Sequence, residues 1–161
     1  MNTHLKPDPD IETRVRDIAA LIGIDIDAEE SRIEVKTYPD ISVEYMSHVW
    51  TRDPDTGVVA IETVEIILCS SRSEDESQVF LDLAISRLLA GHRYVVENKE
   101  KLPEWEQRDG FPRDGFPPNA VIAEAQDAIL ENLHYQVDRS AYGDREILQL
   151  WKDGSVVYRR K

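Results

Sequence analysis

The sequence has one cysteine and no long apolar run, and each shortage excludes a class of protein. Because Cys69 stands alone, the chain can form neither an intrachain disulfide nor a multi-cysteine zinc or iron–sulfur site. No run approaches the roughly 18 apolar residues of a membrane-spanning helix, and the N-terminus lacks the apolar stretch of a signal peptide. We therefore expect a cytoplasmic protein that does not contact a membrane.

Positive charge is also scarce. The chain has 32 Asp and Glu against 19 Lys and Arg, a formal net charge of −13. Such a surface repels the phosphates of nucleic acids, so direct binding of DNA or RNA is not expected. The imbalance is uneven, because residues 1–70 contain fifteen acids and six bases, whereas residues 141–161 contain three acids and five bases. The charge is therefore polarised along the chain.

Motifs for catalysis and cofactor binding are missing. The sequence has no Walker A loop, no GxGxxG loop and no GxSxG elbow, which disfavours nucleotide-dependent enzymes and serine hydrolases. Its histidines lie in separate elements without HxH, HxxxH or HExxH spacing; they are His4, His48, His92 and His134. We predict no catalytic residue, no metal site and no cofactor.

What is present is the pattern of one folded domain. The chain of 161 residues is 41% hydrophobic, enough for one core, and we predict a single acidic α+β domain over residues 1–161. Asp10 and Gly23 mark the two ends of a first helix. Apolar alternation then predicts strands over residues 32–38, 41–51 and 58–69, arranged as a three-stranded antiparallel meander.

Two further helices and a hairpin complete the predicted order α-β-β-β-α-α-β-β, with two to three helices packed on the sheet. Ser73 and Glu76 form a capping box for a helix that continues past Gly91 to about residue 101, before Pro103. The next helix covers residues 118–134. Strands over 146–151 and 155–160 flank Asp153 and its following glycine, a pair that favours a type I′ hairpin.

Residues 103–117 form a predicted loop rich in proline and glycine. It contains the pentapeptide RDGFP twice in tandem, at residues 108–112 and 113–117. The repeat places Phe111 and Phe116 five residues apart. Two interpretations stay open: the pair anchors a partner, or both rings pack onto the domain's own core.

The helix over residues 118–134 has the clearest acidic character. Glu124, Asp127 and Glu131 follow i, i+3, i+7 spacing, and no Lys or Arg occurs between Arg113 and Arg139. The outer face is thus predicted to be purely acidic, with carboxylates that rise by roughly 4.5 and 6 Å along the axis. That repeat is comparable with the charges along a nucleic-acid backbone. These residues form the candidate partner-binding surface; the alternative is a face that only promotes solubility.

The order of helix, three-stranded meander, helix and strand resembles the core of PD-(D/E)xK nucleases. In that family, acids and a lysine on adjacent strands hold a divalent metal. Glu34 and Lys36 give an ExK sequence, but on the first strand instead of the third; the third carries Glu65 without a lysine, and Asp55 lies in a predicted turn. The resemblance concerns topology alone.

These patterns leave three hypotheses for function. The first is a non-catalytic interaction module, an inhibitor or adaptor that binds a basic protein such as a nucleic-acid-binding protein, as immunity proteins and nucleic-acid mimics do. The second is a structural or assembly protein, cytoplasmic or viral, that self-associates through the Phe111/Phe116 loop or through edge strands. The third is a divalent-metal nuclease. The sequence leaves the oligomeric state open.

Overall fold

A computed structural model describes residues 9–26, 33–39, 41, 44–69, 77–105, 119–141 and 145–160. Within them the chain forms helices and strands in the following order: α1 Pro9–Leu21, β1 Ile33–Tyr38, β2 Tyr45–Arg52, β3 Val59–Cys69, α2 Ser77–Glu97, a 3₁₀ turn Lys99–Lys101, α3 Leu102–Trp105, α4 Asn119–Asn132, β4 Tyr135–Arg139, β5 Ile147–Lys152 and β6 Ser155–Arg159. The predicted α+β class is confirmed.

Helix α1 forms where the sequence predicts it. Val15 and Ile18 lie on its apolar face and are fully buried. The helix stops because Gly23 adopts a φ of 80°, which lets the Ile24 N–H turn back and donate to the carbonyl of Ala19. This is the Schellman arrangement that glycine makes accessible.

The first sheet has the order β1-β3-β2, so the predicted antiparallel meander is wrong in its connectivity. β3 is antiparallel to β2, as expected, but it is also paired in parallel with β1. The reason is the composition of β3: Val64, Ile66 and Leu68 are fully or almost fully buried, together with their neighbour Ile67. A strand with so continuous an apolar run takes the central position, while the alternating strands β1 and β2 take the edges.

Helix α2 passes through Gly91, as the sequence predicts, but ends earlier, at Glu97. Pro103 is not a helix stop, because it is the second residue of the short helix α3. Proline is tolerated there because the amide of a first-turn residue has no partner within the helix. The predicted capping box at Ser73 and Glu76 lies outside the described residues.

The second sheet has three strands, in the order β4-β5-β6, where the sequence predicts only a hairpin. The hairpin of β5 and β6 is confirmed, with Asp153 and Gly154 at φ values of 54° and 80°, as a type I′ turn requires. The strand that the sequence analysis did not predict is β4. It begins directly after His134, whose φ of 70° reverses the chain at the end of α4.

Among the described residues, the larger of two buried clusters contains apolar residues of α1, α2 and α4 and of both sheets, and a small second cluster contains Val59, Val95 and Leu102. Ile85 and Leu89 of α2 have no exposed surface and lie within the larger cluster. α2 packs against both α1 and α4. The helices and the two sheets therefore share one core, with α2 at its centre.

Candidate functional site

Helix α4 presents two exposed carboxylates. Glu124 and Glu131 are both exposed, and neither has a hydrogen-bond or ion-pair partner in the described part of the chain. Ala128, also exposed, lies between them, one turn from each. These two glutamates are therefore available to a partner.

Asp127, the third acid of the predicted row, has a different environment. Its Oδ1 accepts a hydrogen bond of 2.7 Å from Nε of Arg139, which lies at the end of β4. The prediction of a purely acidic face is therefore wrong at this position. The sequence shows no basic residue within the helix. The strand β4, which the sequence analysis did not predict, places Arg139 against the helix.

Arg139 belongs to a wider polar network. Its guanidinium also donates to Oε1 of the buried Gln126, at 2.7 Å, and to the backbone carbonyl of Arg145, at 2.6 Å. On its other side, Gln126 donates to Oγ of Ser86 and to the carbonyl of Leu83. Asp127 thus orients an arginine that joins α4 to α2 and to the second sheet.

A second network surrounds Asp82, a carboxylate that sequence analysis did not single out. Its side chain has no exposed surface, and Nε and Nη2 of Arg14 bind its two oxygens at 2.8 and 2.9 Å. Tyr135 donates its hydroxyl to Oδ2 at 2.6 Å, and Gln78 donates to Oδ1 at 2.9 Å. Four donors therefore satisfy one buried carboxylate.

This network changes the protonation of its members. Hydrogen bonding to Asp82 raises the pKa of Arg14, while burial and then Asp82 raise the pKa of Tyr135 above its ordinary value. Both groups hold their protons more firmly than in water, so the Asp82 cluster is suited to fixing α1, α2 and β4 together and not to transferring protons. The sequence signal for it was an acid, four positions after Gln78, between the apolar residues Leu81 and Leu83.

The fold also brings together two histidines that lie far apart in the sequence. Nε2 of His48, on β2, lies 3.1 Å from Nδ1 of His92, on α2. The ring centroids are 5.3 Å apart and the planes differ by 8°. The centroid distance nearly equals the nitrogen separation plus the distance from each ring centre to its own nitrogen, which is the largest value it can have. The rings therefore meet edge to edge in one plane, which is the geometry of an N–H···N hydrogen bond.

Burial has a large effect on this pair. It lowers the pKa of both His48 and His92 to about 4, so both are neutral at pH 7. A buried, neutral pair that meets at hydrogen-bond distance has the geometry of a structural contact between β2 and α2. His134 is exposed at the end of α4.

Three residues of the nuclease resemblance, Glu34, Lys36 and Glu65, share one face of the first sheet. Nζ of Lys36 lies 2.8 Å from Oε1 of Glu65, and Glu34 is the register partner of Glu65. The hydrogen bond to Glu65 raises the pKa of Lys36. However, the meander on which the resemblance rests is absent. Asp55 lies elsewhere, in an exposed turn where its N–H donates to Asp53.

The structure does not test the predicted role of the two phenylalanines of the RDGFP repeat. Phe111 and Phe116, with most of the predicted loop, lie outside the described residues, so their role stays a prediction.

Among the described residues, no group of three or more His, Cys, Asp or Glu side chains is placed to hold a metal ion. In the same residues, no helix combines the length and apolarity that crossing a membrane requires.

No protein-family model matches the chain, and neither a curated protein nor a solved structure shows significant similarity to it.

Proposed function

We propose that this protein is a non-catalytic interaction module that acts in the cytoplasm and binds a basic protein through the outer face of α4. One observation carries the proposal: Glu124 and Glu131 are exposed and unpaired on a helix without a basic residue. Carboxylates that are not neutralised within the protein attract a cationic surface at long range. An inhibitor or adaptor of a nucleic-acid-binding protein would use such a face.

The net charge of −13 supports the same function. It accelerates encounter with a basic partner and disfavours nucleic acids and anionic membranes. Asp127 contributes less than the other two acids, because Arg139 neutralises it at 2.7 Å. We therefore assign recognition to Glu124 and Glu131, with Asp127 as the support of Arg139.

Affinity capture from a native lysate of the source organism tests this function. The tagged protein should retain a basic protein at low salt and release it at high salt, because the attraction is screened. The variant with Glu124→Lys and Glu131→Lys should lose the partner. A matched control is Asp55→Lys with Asp138→Lys, which makes the same charge change at exposed positions outside α4. Equal capture by both variants would contradict the proposal.

A second candidate is self-association through β2. This strand is an edge of the first sheet, and Tyr45 and Val49 on its outer side are each 50% exposed. Unpaired edge strands with apolar side chains are templates for pairing with another chain. Light scattering at low and high salt decides: this candidate predicts a salt-resistant dimer that Val49→Lys dissociates, whereas a strict monomer rules it out.

A divalent-metal nuclease is the third candidate, carried by the contact of Lys36 with Glu65 on neighbouring strands. Incubation of the pure protein with DNA and with RNA, in the presence of magnesium or manganese, tests it directly. Cleavage that disappears in Lys36→Met and in Glu65→Gln would establish the activity. Intact nucleic acid would remove this candidate.

A further inference from the structure

An apolar groove of about 300 Å³ lies on the helical side of the protein. Its floor is formed by Leu89 and Ala90 of α2, which are themselves almost fully buried, so the apolar surface that a partner can reach lies on the side walls. Leu21 of α1 lines one side, and Ala125 and Ala128 of α4 line the other. Leu21 is 50% exposed, so the groove has an apolar edge in contact with solvent. Apolar surface of this kind at a concave site is typical of a binding surface.

Acidic side chains stand on both sides of this groove. Asp17 lies one helical turn before Leu21 on α1, while Glu124 and Glu131 lie one turn on either side of Ala128 on α4. All three acids are exposed. Each wall of the groove therefore carries negative charge next to its apolar residues.

The basic residues of α1 make direct contacts with other carboxylates, although Arg14 also interacts electrostatically with Asp17. Arg14 binds the buried Asp82, and Arg16 lies 2.8 Å from Glu12. Helix α4 has no basic residue of its own. The charge of both walls is thus negative toward solvent.

Among the described residues that line the groove, Arg93 is the one cation. Its Nη2 donates to the backbone carbonyl of Ile22 at 2.8 Å. This contact turns the guanidinium toward the backbone just after the C-terminal end of α1, where the helix dipole places partial negative charge. Arg93 therefore stabilises the end of one wall and leaves the floor at Leu89 and Ala90 apolar.

We propose that this groove docks an amphipathic helix of the partner, whose apolar side chains lie between Leu21 and Ala128 and whose flanks carry Lys or Arg. This inference rests on the proposed function and specifies the recognition element. A helix laid in a groove uses apolar anchors at i, i+3, i+4 and i+7, and its flanking positions then face the two walls. Asp17 on one wall and Glu124 and Glu131 on the other are complementary to basic residues at those positions.

Charge complementarity excludes the two other occupants of such a groove. A second copy of this chain would bring its own acidic walls, and like charges placed across an interface oppose association. An anionic membrane is repelled for the same reason. A basic helix gains from both the apolar and the acidic side chains of the walls.

Two synthetic peptides of about fifteen residues, made only of leucine and lysine, provide the probe. In one, leucine follows the helical i, i+3, i+4, i+7 spacing; in the other, the same composition is scrambled so that no face is apolar. Calorimetry and circular dichroism with the full chain measure affinity and induced helix. We expect the amphipathic peptide to bind about tenfold or more tightly than the scrambled one, because burying even one leucine side chain is worth a factor of that size.

Ala128→Trp fills the groove and should reduce the affinity for the amphipathic peptide to the level of the scrambled peptide. Ala120→Trp is the matched control, since Ala120 is exposed on the same helix but does not line the groove. In the unmodified chain, methyl signals of Leu21 and Leu89 should shift on titration. Equal affinity for both peptides, or unchanged binding by Ala128→Trp, would contradict docking of the helix in the groove.

These outcomes separate the groove from the proposed function. If both peptides bind equally and Glu124→Lys with Glu131→Lys weakens both, the acidic face stands and the groove is wrong. If the double variant and the Asp55→Lys, Asp138→Lys control bind either peptide as well as the original chain does, recognition by the acids of α4 is wrong as well.

Discussion

Tyr135 donates its hydroxyl to Oδ2 of Asp82 at 2.6 Å, and this bond joins β4 to α2. The same carboxylate receives two bonds from Arg14 of α1. One buried anion thereby holds three elements that lie far apart in the sequence.

Asp82→Ala should destabilise the protein strongly. The change leaves Arg14, Tyr135 and Gln78 without their acceptor, and removal of one partner from a buried ion pair costs about 3–5 kcal/mol. Urea unfolding measures the loss. The matched control is Glu12→Ala, which removes a partly exposed pair with Arg16 and should cost about 0.5 kcal/mol or less. Similar losses in the two variants would mean that the Asp82 network is not central to the fold.

The histidine pair predicts how stability depends on pH. His48 and His92 have folded pKa values of about 4, below the ordinary 6.5, so the unfolded chain binds protons first. Their contribution is fully present above pH 6.5 and is lost as the pH falls toward 4. The slope should approach about 1.4 kcal/mol per pH unit for each histidine that remains neutral in the folded state.

Unfolding measured between pH 7 and pH 4 tests this prediction. His48→Gln with His92→Gln should flatten the profile over that range, because glutamine does not titrate. His134→Asn is the control, since His134 is exposed and asparagine tolerates its φ of 70°. A profile that the double variant leaves unchanged would show that other groups set the acid sensitivity.

Replacement by alanine should change the stability of the protein in opposite directions at two glycines. Gly91 lies inside α2, and a Cβ there would meet Met46 at 3.7 Å and Ile122 at 3.8 Å, ordinary contact distances. Gly91→Ala should therefore stabilise the protein by about 0.5–1 kcal/mol. At Gly23, with a φ of 80°, the same change should destabilise by about 1–2 kcal/mol despite the open space around it. Urea midpoints compare them, and loss of stability in both would indicate that α2 cannot accept the methyl group.

The sequence predicted the local elements well because their signals are local. The alternation of β1, the glycine that ends α1 and the Asp153–Gly154 turn each depend on a few adjacent residues, and each prediction is confirmed. The parallel pairing of β1 with β3 depends on competition among strands for the centre of the sheet. No single segment encodes that competition, so the predicted meander was wrong.

The polar clusters could not be predicted for a similar reason. His48 and His92 are 44 positions apart, and Arg14 and Asp82 are 68 positions apart. Their meeting follows from the packing of α2 against β2 and α1. Asp127 shows the opposite case, because the acid was recognised from its spacing while the arginine that neutralises it belongs to β4, a strand that the sequence analysis missed.

Arg139→Met should separate stability from binding. Removing the guanidinium leaves Asp127 and the buried Gln126 carbonyl without a donor, which should cost about 1–3 kcal/mol of stability. It also restores the third free carboxylate of the α4 row. We therefore expect a less stable protein that binds the captured basic partner more tightly. Weaker binding by a folded Arg139→Met variant would contradict the role of the acidic face.

The affinity of the captured partner, measured over a range of salt concentrations, tests the central claim most directly. We predict that affinity falls steadily as salt rises, that Glu124→Lys with Glu131→Lys weakens binding by about a hundredfold or more at low salt, and that this variant loses most of the salt dependence. The Asp55→Lys, Asp138→Lys control should retain most of the affinity and most of its salt dependence. Affinity that is indifferent to salt and equal in the two variants would contradict recognition through the acidic face of α4.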